Sequence, residues 1–124
     1  MSASSALTGK LQALGLTDNE CKAYLTLLRT GPCTAVELSR ESHLQRTPIY
    51  PLMVGLVSKG LVEQTIDRPK RYRPADVKHS IPELASRLRD QFTEIAKESE
   101  QLAGRLESLV PGTRKIRREE VRII

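Results

Sequence analysis

Arg68, Lys70, Arg71 and Arg73 set four cations within six residues, interrupted by Pro69 and Tyr72. Guanidinium and ammonium groups at this density suit phosphate oxygens or the narrow minor groove of a duplex. The same composition also suits a solvated edge strand, whose Lys and Arg discourage aggregation. Other chemistry is thinly supplied. Cys21 and Cys33 make no metal-ligand spacing with His43 and His79. No nucleophile-elbow glycine pattern occurs, and no glycine loop that could cradle a phosphate. Thr17 with Glu20, Thr34 with Glu37 and Ser80 with Glu83 each place a carboxylate three residues after a hydroxyl, which capping boxes explain fully. No catalytic residue, metal or cofactor is therefore expected, and the protein is not read as an enzyme. The two thiols are read as reduced and half-buried, with a redox switch as the alternative.

The elements that must carry the basic cluster can be traced from the N-terminus. Leu7, Leu11 and Leu14 predict a short amphipathic helix over Ser5 to Leu14, ended by Gly15. Thr17 opens a second helix with Cys21, Tyr24, Leu25, Leu27 and Leu28 on its apolar side, stopped by Gly31 and Pro32. Thr34 opens a third, a turn spans Glu41 to Gln45, and Ile49, Leu52, Met53 and Leu56 make a fourth helical stripe ending at Lys59-Gly60. Two helices joined by so short a turn form a helix-turn-helix. Leu61 to Ile66 reads as a strand, Asp67 to Lys70 as a turn and Arg71 to Pro74 as the returning strand. A helix-turn-helix followed directly by a hairpin outlines a winged helix, and it turns the basic cluster into a projecting wing.

In that arrangement the fourth helix is the recognition helix. Gln45, Arg46 and Thr47 at its N-terminal end can hydrogen-bond to base edges. Tyr50 and Val54 join them, Val54 as a contact for thymine methyls, and Lys59 is expected on a phosphate. Pro51 in a helix interior would lose a hydrogen bond and crowd Thr47, so the regular helix is expected to start late, near Thr47 to Tyr50, or to kink at Pro51. Base readout should be sparse, and the wing should supply most of the affinity for double-stranded DNA.

From Ser80 to Val110 a seven-residue repeat runs through the chain. One seam position reads Ile81, Leu88, Ile95, Leu102, Leu109; the other reads Ala85, Phe92, Ser99, Leu106. Sustained over about four heptads, this predicts a coiled-coil-type helix of roughly 40 Å, too long for one small domain to cover. A homodimer through Ile81, Ala85, Leu88, Phe92, Ile95, Leu102, Leu106 and Leu109 follows, with the orientation of the pair left open.

The fold class expected is thus mainly α with a small β-hairpin wing: a winged helix-turn-helix over residues 1–79, a dimerisation helix over 80–110 and an Arg-rich tail over 111–124. At 124 residues, 39% hydrophobic and 28% charged, the chain can build one modest core, and a net charge of +5 suits an anionic partner. Aromatics make up only 3%, so that core must rest on aliphatic side chains. No apolar run approaches the roughly 18–20 residues of a membrane span, and the N-terminus lacks a signal-peptide layout, so a cytoplasmic location is expected.

The run Leu14-Gly-Leu-Thr-Asp-Asn-Glu20, then Ala23-Tyr24-Leu25, Leu28 and Gly31-Pro32, resembles the start of the TrmB family of archaeal transcriptional regulators. The resemblance continues through Ile49-Tyr50, Leu56, Lys59-Gly60-Leu61-Val62-Glu63 and Arg68-Pro69-Lys70-Arg71-Tyr72-Arg73. It implies a winged-helix DNA-binding domain followed by a dimerising helix, with an antiparallel pair favoured, in regulators often of sugar transport and metabolism genes. Pro48 and Pro51 stand where the family usually has polar residues facing DNA, and Asp67 where it tends to have Gly. The chain stops near where larger members begin a sugar-binding domain, so no small-molecule effector is inferred. A protein-interaction module and a chromatin-like coating protein with little sequence preference are the alternatives.

Overall fold

The computed structural model describes residues 3–112. The described residues fall into two compact units, divided between Leu88 and Arg89. The first holds helices α1 (Ala3–Ala13), α2 (Asp18–Thr30), α3 (Ala35–Glu41) and α4 (Ile49–Ser58), the strands β1 (Cys33–Thr34), β2 (Val62–Gln64) and β3 (Arg71–Pro74), and the start of α5 (Val77–Glu107). This is a winged helix-turn-helix followed by a long C-terminal helix, as the periodicity predicts.

The core is built around α2. Thr17 caps it: Thr17 Oγ1 accepts from Glu20 N at 3.1 Å, and Glu20 Oε1 accepts from Thr17 N at 2.8 Å. Cys21, Ala23, Tyr24 and Leu27 are then carried inward, each no more than 1% exposed. Leu38 of α3 and Met53 and Leu56 of α4 close on them with no exposed surface. Full burial of side chains of this size contributes about 1.5–3 kcal/mol each. Thr34 and Glu37 form the second capping box and start α3. At the end of α3, Ser42 Oγ donates back to the Leu38 carbonyl at 2.6 Å, stopping the helix before the turn.

The sheet has three strands, not the two of a plain hairpin. Its order is β1-β3-β2, all antiparallel, so β3 is central. Cys33 and Gln64 both pair with Tyr72, and alternation sends the Tyr72 side chain into the core at 4% exposure. Gly60, at φ 77°, makes the turn from α4 into β2.

Two expectations shift at the start of α5. The helix begins at Val77, with the Asp76 carbonyl accepting from Ser80 N at 2.8 Å, so the Ser80/Glu83 capping box does not form. Ser80 lies buried inside the helix. The compact first unit also runs on to Leu88, past the boundary expected at 79/80. Leu84 is buried, and Ile81 and Leu88 pack against the same core. In the second unit, residues 91–112 are exposed throughout. The basic tail expected over 111–124 falls, from residue 113 on, outside the described residues. Among those described, no helix is long and apolar enough to cross a membrane.

Candidate nucleic-acid interface

The wing starts from strand register. Glu63 faces Arg73, Gln64 faces Tyr72, and beyond the ladder Thr65 N donates to the Arg71 carbonyl at 2.9 Å while Thr65 Oγ1 accepts from Arg71 N at 3.0 Å. The expected strand over Leu61 to Ile66 is therefore shorter, and Ile66 sits at the tip with 98% of its surface exposed. With Tyr72 turned inward, Arg71 and Arg73 face solvent on the other side of β3.

The four cations divide into two pairs. Arg71 Nη2 donates to the Pro32 carbonyl at 3.1 Å, and Arg73 Nε pairs with Glu63 Oε1 at 3.3 Å across the strands. Arg68 and Lys70 make no hydrogen bond or ion pair with any described residue. They line, with Pro69, a groove of about 630 Å³ whose other wall includes Val36 of α3, Tyr50 of α4 and Tyr72. Val36 and Tyr50 are 58% and 61% exposed, so the groove is open to a partner. Burial pushes the Tyr72 phenol above its ordinary pKa, and neighbouring Tyr50 adds to that shift. Glu37, at the start of α3, is held below the usual carboxylate range by hydrogen bonds from the Thr34 backbone and side chain, with Arg71 and Arg40 contributing.

The turn between α3 and α4 spans residues 42–48, longer than the four or so residues expected. His43 takes a left-handed backbone at φ 60°, Leu44 is buried, and Thr47 N donates to the Leu44 carbonyl at 3.0 Å. Gln45, Arg46 and Thr47 thus lie on this turn, ahead of the helix, with Gln45 and Arg46 exposed and Thr47 half-buried. Both prolines find places that suit them. Pro48 is the N-cap of α4, and Pro51 is its third residue, where a backbone N–H has no intrahelical acceptor in any case. The late start is the outcome. Ile49, Met53 and Leu56 face the core, leaving Tyr50, Pro51, Val54 and Ser58 exposed.

Lys59 does not stand free for a phosphate. Its ammonium is bound by both oxygens of Glu20, at 3.2 and 3.1 Å, and three-quarters of the side chain is buried. Sequence reading found Glu20 as a capping residue and missed this second use. It also missed Gly55, where a Cβ would run into Glu20 Oε2. Arg87 is a further residue it passed over: its Nη2 donates to the Lys59 carbonyl at 2.7 Å and reaches the Ser58 carbonyl at 3.5 Å, capping the end of α4.

The seam residues divide too. Ile81 and Leu88, expected at a dimer interface, are half-buried against the chain's own core, and Leu84 replaces Ala85 as the inward residue of that stretch. Ala85 is exposed. Phe92, Ile95, Leu102, Leu106 and Leu109 are 53–76% exposed and form an uncovered apolar stripe. Cys21 and Cys33 are buried thiols, not joined to each other, and burial raises the pKa of both. Among the described residues no cluster of His, Cys, Asp or Glu could hold a metal ion.

Comparison with known proteins agrees with this architecture. The family model described as sugar-specific transcriptional regulator TrmB matches residues 11–78, more than half of the chain. The HTH-type sugar sensing transcriptional regulator TrmBL1 of Pyrococcus furiosus is 34% identical over 96 residues, covering 72% of this chain and 28% of that protein. The uncharacterized protein YrhO of Bacillus subtilis is 30% identical over 87 residues, covering 70% and 32%. The chain therefore spans about a third or less of the length of these relatives. Among solved structures, that of TrmBL2, described as an archaeal chromatin protein showing a novel mode of DNA binding, superposes with a TM-score of 0.69 at 21% identity, covering 86% of this chain and 43% of that one. A MarR-family regulator from Silicibacter pomeroyi gives 0.52 at 16% identity, over 93% and 84%. These two likenesses show the fold.

Proposed function

From its membership of the TrmB family of transcriptional regulators, to which the chain belongs by the match over residues 11–78, we propose that it is a sequence-specific double-stranded DNA-binding regulator acting as a homodimer. The observation that supports this most directly is the groove between wing and helix-turn-helix. It brings Arg68 and Lys70, two cations with no internal partner among the described residues, beside the exposed Tyr50 of α4. On this reading α4 enters a major groove, and Gln45, Arg46, Thr47, Tyr50 and Val54 meet base edges and backbone. Arg68 and Lys70 follow the flanking phosphates or minor groove, Arg71 and Arg73 lend positive potential from behind, and Lys59 serves the fold instead. Residues 1–88 are the DNA-binding part. The apolar stripe from Phe92 to Leu109 is the self-association surface, and the spacing of half-sites follows from the pairing of the two copies.

One observation favours a second reading, DNA coating with little sequence preference. The exposed side of α4 offers Tyr50, Pro51, Val54 and Ser58, with no charged or amide side chain. Selection of bound fragments from a random duplex pool, followed by sequencing, separates the two. Enrichment of a two-fold symmetric motif supports the regulator. Uniform recovery supports coating, and no recovery at moderate salt refutes both.

A further inference from the structure

Lys22, Leu25, Thr26 and Arg29 recur at i, i+3, i+4 and i+7, so they form one stripe along α2. With Thr8 of α1 and the end of α3, that stripe encloses a pocket of about 320 Å³, which shares no residue with the groove beside the wing. Thr26 lines it while only 6% exposed, and its hydroxyl makes no hydrogen bond with any described residue. A hydroxyl so buried is costly until something in the pocket bonds to it. Its neighbour Ser42 differs, because Ser42 Oγ already donates to the Leu38 carbonyl at 2.6 Å. Arg29 from α2 and Glu41 from α3 bring opposite charges to the same pocket, yet neither pairs with the other or with any described residue. Lys22, by contrast, has Asp18 at 3.5 Å. His43 follows the cap of α3 with a left-handed backbone at φ 60°, its N–H donating to the Arg40 carbonyl at 3.2 Å and Leu44 N to the Ser39 carbonyl at 2.9 Å. Glycine is the usual residue in that place. A histidine is held there against its backbone preference, and it lines the pocket.

We propose that this pocket binds a small zwitterion of the α-amino-acid class. The charges select that class. A phosphate or other dianion would be drawn to Arg29 but would stand beside Glu41, and a simple cation would meet the reverse. An apolar guest would leave Arg29, Glu41 and the Thr26 hydroxyl without partners. A zwitterion uses all three. Its carboxylate takes the Arg29 guanidinium and a hydrogen bond donated by Thr26 Oγ1, and its ammonium donates to Glu41. Half-buried Leu25 and the His43 side chain remain to meet the rest of the molecule. The volume lies at the lower end of the range for small-molecule sites, about 300–1,000 Å³, which suits a metabolite of that size. An occupant held by Glu41 and His43 also braces the turn that carries Gln45, Arg46 and Thr47. The assignment does not depend on the DNA-binding reading.

The test takes the full chain and the standard L-amino acids, each at millimolar concentration, with inorganic phosphate as a separate probe. Amide chemical shifts report the site, and the rise in unfolding temperature reports binding to the native state. One or a few amino acids should move the signals of Thr26, Arg29, Glu41 and His43 and raise the unfolding temperature. For each that does, the matching amine and the matching carboxylic acid, each lacking one charge, should bind at least roughly ten-fold more weakly. Arg29→Gln and Glu41→Gln should each weaken binding roughly ten-fold or more, and Thr26→Val about three- to ten-fold. His43→Gly separates site from fold: glycine suits the left-handed backbone, so this variant should unfold no earlier than the parent and still bind more weakly. Circular dichroism checks that every variant keeps its helix content. A panel in which no amino acid shifts these signals would overturn the proposal. So would binding that Arg29→Gln and Glu41→Gln leave unmoved, or phosphate or a singly charged analogue binding as tightly as the amino acid.

Discussion

Glu20 Oε2 lies 3.1 Å from Lys59 Nζ, an ion pair that ties the first turn of α2 to the residue that ends α4. Both charges suit the helix ends they occupy, the carboxylate near an N-terminus and the ammonium at a C-terminus. The Glu20 side chain is only 6% exposed and already accepts from Thr17 N, so the pair is held by geometry as well as charge. Gly55 completes the arrangement by leaving room for Glu20 Oε2 one turn before the end of α4.

Removing one partner should therefore cost more than a surface pair would. Lys59→Met leaves a buried carboxylate without its cation and should destabilise by about 2–4 kcal/mol, at the lower side of a fully buried pair because Lys59 keeps some solvent. Gly55→Ala drives a methyl into the carboxylate and should cost about 1–3 kcal/mol. In a Glu20→Ala background the Gly55→Ala cost should nearly vanish. Urea unfolding of the four chains in this last cycle measures the coupling. Equal costs of Gly55→Ala in both backgrounds would show that Glu20 is not what it meets.

On the wing, the division of the four cations predicts unequal effects on DNA binding. Arg68→Ala with Lys70→Ala removes the two that have no internal partner and should lower affinity roughly ten-fold or more at moderate salt, flattening the salt slope by about 0.9 for each phosphate no longer neutralised. Arg71→Ala with Arg73→Ala removes groups already held by the Pro32 carbonyl and Glu63. Its effect on the slope should be smaller, and part of it should appear as reduced stability. Titrations of one duplex at several salt concentrations decide the matter. Equal slopes for the two double variants would dissolve the distinction.

At the start of α3 the acid limb of stability can be assigned a contributor. Hydrogen bonds from Thr34 hold Glu37 ionised, so its folded pKa lies below its unfolded value. A group shifted in that direction stabilises the fold above its unfolded pKa and loses the contribution as pH falls through the folded one. Glu37→Gln should therefore be less stable than the parent at pH 7, and the difference should close as the pH falls below the ordinary glutamate range. Unfolding curves across pH 2–7 test this. A gap that stays constant over the whole range would assign the loss to the amide and not to titration.

Much of this fold was legible because its signals are local. The Thr17/Glu20 and Thr34/Glu37 boxes are read from four consecutive residues, and both form. The i, i+4, i+7 spacing of Ile49, Met53 and Leu56 names the inner face of α4, and two prolines near its start announce a late beginning. What escaped depends on residues far apart in the chain. Strand β1 is two residues long and exists because β3 passes beside it, a pairing invisible from Cys33 and Thr34 themselves. Lys59 reads as a free cation until Glu20, 39 positions earlier, is brought to it. The heptad repeat shows which residues share a face of α5 but not where that face changes partner. Ile81 and Leu88 obey the same period as Ile95 and Leu102, yet the chain's own core takes the first two. Ser80 with Glu83 has the spacing of a cap, but Asp76 starts the helix one turn earlier.

Inside the core, Tyr24 Oη and Ser80 Oγ are buried, and neither makes a hydrogen bond of good geometry with any described group. They lie close enough that Ser80 draws the Tyr24 pKa down, although burial outweighs it and the net shift is upward. A phenol shifted that way contributes stability below its unfolded pKa and loses it as the pH rises through the folded value, so Tyr24 adds to alkaline unfolding above about pH 10. The pair also predicts the outcome of substitution. Tyr24→Phe and Ser80→Ala each remove a buried hydroxyl that has no hydrogen-bond partner among the described residues, so neither should lower stability, and each should raise it by about 1 kcal/mol or less. Tyr24→Phe with Ser80→Ala removes both buried hydroxyls at nearly constant shape and should leave the protein as stable as the parent or more so, by up to about 2 kcal/mol. Thermal or urea unfolding of the three variants measures it. Single variants that are each destabilised, with the double variant recovering, would mean that the two hydroxyls are bonded to each other in solution after all.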